Sequence, residues 1–321
     1  MTWRLPDLAE LETAAALIYA HMPPTPQYNW PLLDVAAGTE VWVKHENHTP
    51  VGAFKIRGGI IYMDWLKHNH PEIKGVVGAT RGNHGQSMGF AAKMTGTPAV
   101  VVVPFGNSRE KNEAMRALGV ELIEAGEDFQ AACEHADTLA KERGMHRLPS
   151  LDPKLIHGVG TYALEFFRGT PGLDTVYVPI GMGSGVCGMI AARNALGLKT
   201  KIVGVVSSGA PAYQLSFAAG HVVEHPVTTV LADGLACRRP NSDALAAILE
   251  GVERVVAVSE DEVAAAMRTL FTATHNVAEG AGAASFAALM SERDAMRGKR
   301  VGVVLCGGNV DAEMFAKVLE G

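Results

Sequence analysis

Cysteine is scarce in this chain: Cys133, Cys187, Cys237 and Cys306 are its four, scattered and without the close pairs that hold a metal. A reduced, cytoplasmic setting is the simplest account of that usage. Basic clusters are also absent and the formal charge is −6, which argues against nucleic acid as a partner. No apolar run approaches the length of a membrane span. The strongest, Ala99 to Val103, is bracketed by Pro98 and Pro104. Met1 to Asp7 is not followed by an apolar stretch, so no secretory leader is expected. Internal repeats, low-complexity tracts and long linkers are missing too. With 48% hydrophobic and 19% charged residues over 321 positions, the chain can bury a large core, as two domains or one large α/β unit.

Short β-branched runs recur through the chain with helical stretches between them. Strands are expected at Val41–Val43, Gly75–Ala79, Ala99–Val103, Glu121–Ile123, Thr175–Val178, Ile202–Val206, Val255–Val258 and Val301–Leu305. Continuous apolar strands of this kind are buried on both faces. A capping box, Ser259-Glu260-Asp261-Glu262, opens a helix at Val263. The alternation predicts an α/β fold of parallel sheets covered on both sides.

Lys55 occupies an unusual place in this pattern. Pro50 and Gly52 shape a turn, after which Phe54 and Lys55 stand at the mouth of a helix. A lysine held there beside an aromatic ring is read as partly desolvated and disfavoured as a cation, which lowers its pKa toward a nucleophilic amine. Such an amine can bind an aldehyde as a Schiff base. Two glycine-rich loops reinforce the reading. Gly78-Ala79-Thr80-Arg81-Gly82-Asn83-His84-Gly85-Gln86-Ser87 lies between a strand and a helix, where open α/β sheets place ligands. Gly181-Met182-Gly183-Ser184-Gly185 also follows a strand and precedes a helix, a setting in which backbone N–H groups converge on a phosphate. Gly183, Gly185 and Gly188 further match the spacing of a nicotinamide dinucleotide fingerprint. The following strand, however, ends in Val206 and Ser207 rather than the acid that would hold the ribose.

Taken in order, these segments together with Ala232-Asp233-Gly234, Ala278-Glu279-Gly280-Ala281-Gly282 and Leu305-Cys306-Gly307-Gly308-Asn309 resemble the fold type II family of pyridoxal phosphate enzymes, in its serine/threonine dehydratase branch, which includes serine racemase. The resemblance runs from about Trp42 to the C-terminus. It implies a tryptophan synthase β-like fold with two three-layer, parallel-sheet domains: a small one at 47–150 inserted in a large one at 1–46 and 151–321. It implies pyridoxal 5'-phosphate as cofactor, with Lys55 as the Schiff-base lysine and α-base. Phe54 would pack by the cofactor ring, Asn83 would bond its 3-hydroxyl, and Cys306 would face its nitrogen. Gly181, Met182, Gly183, Ser184 and Gly185 would enclose the phosphate. The loop Thr80, Arg81, Gly82, Asn83, His84 would receive the substrate carboxylate. A homodimer without a C-terminal regulatory domain is the expected assembly.

The chain departs from that pattern at informative places. Ala53 replaces the usual serine, and Arg81 replaces a small or hydroxyl residue that in serine racemase works on the opposite face of the substrate. Arginine cannot deprotonate in that role, so racemisation is disfavoured. Arg81 has three candidate partners: the substrate carboxylate, the second carboxylate of a 3-hydroxyaspartate, or Glu46. The family's cation site lacks its acid at Val206 and Ser207, and no metal is expected. His45, His48, His84 and His157 are not spaced as a metal set. Glu279 orients cofactor or substrate, or caps its helix. Arg238 and Arg239 read as a solvated pair or as part of an entrance. A thiol at Cys306 cannot keep the ring nitrogen protonated, which suits β-elimination better than a long-lived carbanion.

The expected activity is therefore dehydration of a β-hydroxy-α-amino acid, by default L-threonine or L-serine, to a 2-keto acid and ammonia. A bulkier or acidic substrate, 3-phenylserine or 3-hydroxyaspartate, is the alternative. Racemase, β-replacement synthase, nicotinamide oxidoreductase and noncatalytic binding protein stand further off.

Overall fold

Why the β-branched runs become strands is plain from where they lie. Ala99–Val103 is buried along its whole length, with Ala99, Val101 and Val103 packed beneath one helical layer and Val100 and Val102 beneath another. That two-residue alternation between two apolar layers is what a strand covered on both faces requires. The computed structural model describes residues 3–321; Met1 and Thr2, the start of the segment read for a leader, lie outside the described residues.

The described residues form β1 (Gln27–Asn29), β2 (Glu40–His45), β3 (Val76–Ala79), β4 (Ala99–Val103), β5 (Glu121–Glu124), β6 (His146–Arg147), β7 (Thr175–Pro179), β8 (Lys201–Ser207), β9 (Arg254–Val258) and β10 (Arg300–Leu305). They assemble into one sheet of order β1-β2-β10-β7-β8-β9 and a second of order β5-β4-β3-β6. The second is parallel throughout, and the first is parallel except for β1, which pairs antiparallel with β2 through Gln27 and Lys44, Tyr28 and Val43, and Asn29 and Trp42. The eight expected strands are all present. The all-parallel expectation fails only at the edge, where a polar three-residue strand folds back on its neighbour.

The chain leaves the first sheet after β2, builds the whole second sheet, and returns to the first at β7. The helix Lys55–Asn69 lies at the junction, packed on Asn83–Thr95 from one side and on Pro153–Gly169 from the other. Ser259 caps Glu260–Thr274 with the reciprocal Glu262 bond expected from sequence. None of the described helices is long and apolar enough to cross a membrane.

Candidate active site

Three helices without a side-chain cap begin at or beside one cavity, and a fourth starts next to Asn83 on its wall. Lys55–Asn69 starts after Phe54, Asn83–Thr95 after Gly82, Ser184–Ala195 after Gly183 and Gly280–Ser291 after Glu279. A helix start leaves backbone N–H groups unpaired and carries a partial positive charge. The cavity lies beyond the carboxyl ends of β3 and β7 and is lined by Lys55, Thr80 to His84, Lys111, Gly181, Met182, Asp233 and Gly234, among others. A ligand bearing two anionic groups fits such a set of uncapped ends.

Local sequence dictates each wall. The Thr49-Pro50-Val51-Gly52 turn closes with Gly52 N–H donating to Thr49 O at 2.9 Å, and Gly52 sits at φ +67°. Phe54 N–H then donates to Cys306 O at 3.0 Å, which ties the start of the lysine helix to the end of β10. Gly181 is needed for contact: a Cβ there would lie 2.3 Å from Gly234 O. Gly183 adopts φ +103°, with Tyr213 and Ala244 close beneath it. Gly181→Ala is thus expected to force the two loops apart, at about 1–3 kcal/mol of stability, read as a lowered denaturant midpoint.

Lys55 is half-buried, with Nζ 4.8 Å from the centre of the Phe54 ring. Its pKa is lowered, and burial is the cause, acting against Cys306 and Glu279, which raise it. The sequence reading credited the aromatic ring with part of that lowering. The geometry corrects this, because a ring face favours the cation. His84 is buried and held neutral, its pKa pushed down to about 3 by burial and by Lys55 and Arg147. Cys306 is a buried free thiol, pushed well above its ordinary range by burial and Glu279.

Further expected residues meet here. Thr80 is buried and its Oγ1 accepts from Gly82 N–H at 2.9 Å, shaping the loop. Arg81 is exposed at the cavity wall. The suggested Arg81–Glu46 pair does not form: Glu46 is fully buried and bonded to Arg57 at 2.7 and 2.9 Å. Glu279 does not cap its helix with its side chain; its carboxylate accepts from Asn83 Nδ2 at 2.7 Å. Arg238 and Arg239 face solvent against Glu224, the solvated reading. Among the described residues no His, Cys, Asp or Glu cluster is arranged to hold a metal.

Two features escaped the sequence reading. Lys111 is buried at the cavity wall, 2.8 Å from Asp233 and 3.7 Å from Glu279, in a helix whose sequence reads as an ordinary charged surface. Beneath Lys55, Arg57 anchors a buried network with Glu46, Glu165, Lys44 and Thr161.

A model of the family described as "Pyridoxal-phosphate dependent enzyme" matches residues 18–307. The chain belongs to the pyridoxal-phosphate-dependent enzymes. Its relatives include an L-threonine ammonia-lyase of Geobacter sulfurreducens, 36% identical over 88% of this chain and 70% of that protein. An L-threo-3-hydroxyaspartate ammonia-lyase of Saccharomyces cerevisiae is 30% identical over 99% of this chain and 97% of that one. The solved structure of a pyridoxal 5'-phosphate-dependent aspartate racemase superposes with a TM-score of 0.92 at 29% identity, covering 98% of this chain and 99% of the other. The fold is that of fold type II pyridoxal-phosphate enzymes, and the expected lyase class on hydroxy amino acids accords with these relatives.

The residues present fit this cofactor. A lysine, needed for an aldehyde, stands at the cavity with its pKa lowered by burial. The uncapped Ser184–Ala195 start, reached through a loop that tolerates no side chain at Gly181, suits a phosphate.

Proposed function

We propose that this pyridoxal-phosphate enzyme removes water and then ammonia from L-serine or L-threonine, releasing a 2-keto acid. The observation that carries the reading is a lysine lining a cavity onto which uncapped helix starts open, two of them preceded by glycine-rich loops, with burial lowering its pKa. Lys55 would bond the cofactor, with Phe54 and Cys306 flanking its ring, Asn83 bonding its hydroxyl, and Gly181, Met182, Gly183, Ser184 and Gly185 holding the phosphate. When bound, pyridoxal phosphate supplies the electron sink that acidifies the substrate's α-carbon.

The protein's own groups do the rest. Thr80, Arg81, Gly82 and His84 shape the wall that receives the substrate carboxylate at the start of Asn83–Thr95. Lys55 would take the α-proton, and the lowering of its pKa by burial makes its amine easier to hold unprotonated for that role. The Cys306 thiol stays neutral, so it does not protonate a ring nitrogen and favours expulsion of the β-hydroxyl over a persistent carbanion. We further propose that 47–150 moves as a small domain against 1–46 with 151–321 and closes over the substrate. A homodimer in the reducing cytoplasm is the proposed setting, in keeping with four free cysteines.

Arg81 favours a second reading within the same chemistry. Its guanidinium is at the cavity wall and forms no ion pair among the described residues. A β-carboxylate, as in 3-hydroxyaspartate, is its natural partner. Ammonia and keto-acid release from L-serine, L-threonine, 3-hydroxyaspartate and both 3-phenylserine diastereomers tests the proposal. Absence of ammonia from every substrate with cofactor-loaded protein refutes the lyase reading. On this second reading Arg81 serves the β-carboxylate and not the α-carboxylate, so Arg81→Ala is expected to lower kcat/KM for 3-hydroxyaspartate by about 10- to 100-fold, the worth of one charged hydrogen bond, and to spare serine turnover. An equal loss on both substrates would assign Arg81 to the α-carboxylate instead.

A further inference from the structure

The Asn83 side chain is held from both ends. Its Nδ2 donates to Glu279 Oε1 at 2.7 Å, and its Oδ1 accepts from Asn309 Nδ2 at 2.8 Å. Asn309 is itself fixed, since Nδ2 also donates to Val51 O at 2.9 Å. Turning the Asn83 amide over would set its NH₂ against the NH₂ of Asn309 and its oxygen against a carboxylate, so only one orientation satisfies both neighbours. In that orientation Nδ2 keeps one hydrogen unused, and Asn83 lines the cavity that holds Lys55.

Glu279 is costly to keep where it is. It is 2% exposed, its Oε2 accepts no hydrogen bond, and burial pushes its pKa up to about 7 against the pull of Lys111 and Asn83. Its backbone is pinned by donation from its N–H to Gly307 O at 3.1 Å, and its side chain turns away from the helix it precedes. Lys111 stands 3.7 Å from Oε2 and is bonded to Asp233. A buried carboxyl group that does not cap its helix, and whose cation stands 3.7 Å off and is bonded to Asp233 instead, needs another use. Ionised or protonated, it offers Asn83 an acceptor oxygen.

We propose that Glu279 is a positioning residue acting through Asn83: with Asn309 it locks the amide so that the unused Nδ2 hydrogen is reserved for an oxygen of the bound cofactor. This rests on the cofactor-site reading above. Because Glu279 acts through Asn83, its removal matters only while Asn83 is present.

A double-mutant cycle on cofactor affinity tests this. The full chain is titrated with pyridoxal phosphate as wild type, Asn83→Ala, Glu279→Ala, the double variant and Glu279→Gln. Glu279→Ala is expected to weaken binding about tenfold in the wild-type background, the worth of one hydrogen bond, and not at all in Asn83→Ala. Glu279→Gln retains an acceptor oxygen and restores the affinity. Should Glu279→Ala fail to fold, Asn309→Ala removes the other arm and is expected to show the same dependence on Asn83. Losses that add across the two backgrounds, unchanged affinity in Glu279→Ala, or a Gln variant as weak as the Ala variant overturns the proposal. Failure of the lyase reading would look different: wild-type holoenzyme would release no ammonia, whatever the cycle shows.

Discussion

Lys55→Ala is expected to lower ammonia release by on the order of 10³- to 10⁴-fold, since one substitution removes both the bond to the cofactor and the base for the α-proton. The visible absorbance of lysine-linked cofactor should vanish with it. Stability should move the other way. Burial holds the Lys55 pKa below its ordinary value, so the folded chain binds fewer protons there than the unfolded chain. The stability lost to that lysine is therefore fully felt below the lowered pKa and is regained as pH rises from there to the ordinary lysine value. Replacing it by alanine relieves that penalty, and with the cofactor removed from both proteins the variant should melt no lower than wild type. Melting curves of the cofactor-free proteins and turnover of the cofactor-loaded ones check both halves. Retained turnover would remove Lys55 from the centre of the site, and a collapsed melting temperature would make the loss of activity uninformative.

The parts of this fold that were legible in the sequence are those whose neighbours are all apolar. Val76-Val77 and Ala99–Val103 sit between two helical layers, so their burial is written as unbroken β-branched runs. β1 and β6 carry no such mark. Gln27–Asn29 is polar and half-open at a sheet edge, and His146–Arg147 is two residues long and exists only because β3 offers it a partner. The glycine loops were legible because a positive φ or a close backbone approach restricts the residue type, and Lys55 because it opens a helix just after the Gly52 turn. Lys111 was not, since Arg109-Glu110-Lys111-Asn112 is what a solvated helix also looks like, and Asp233, which draws it inward, is 122 positions away. Glu46 was one of three partners weighed for Arg81, as a nearby acid. The fold instead delivers it to Arg57, eleven residues on, on the far side of the lysine helix.

Arg57 is the place where the largest loss of stability is expected. Its side chain is fully buried, and its donors reach Glu46 Oε1 and Oε2 at 2.9 and 2.7 Å, Glu165 Oε1 and Oε2 at 2.6 and 2.9 Å, and Thr161 Oγ1 at 3.0 Å. Lys44, also fully buried, shares Glu165 at 2.6 Å. Two cations and two carboxylates thus balance, and burial, which alone would lower the Arg57 pKa, is outweighed by Glu46 and Glu165. Arg57→Met leaves two buried carboxylates facing one ammonium. Breaking a buried pair in this way costs about 3–5 kcal/mol, and Arg57→Lys should recover only part of it, because a point charge cannot bond both carboxylates as a planar fork does. Glu165 sets the pH dependence. Its pKa is lowered, burial being outweighed by Arg57 and Lys44, so its contribution is complete above the ordinary carboxylate value and is lost as pH falls through the lowered one. Denaturant midpoints of wild type should accordingly fall in acid, and Arg57→Met should flatten that acid limb. The network joins the first turn of the lysine helix to the end of β2 and to Pro153–Gly169. Loosening it should also let Lys55 drift, so that Arg57→Lys, where it folds, loses kcat more than it raises KM. A melting temperature that stays put in Arg57→Met would show that packing alone holds this helix in place.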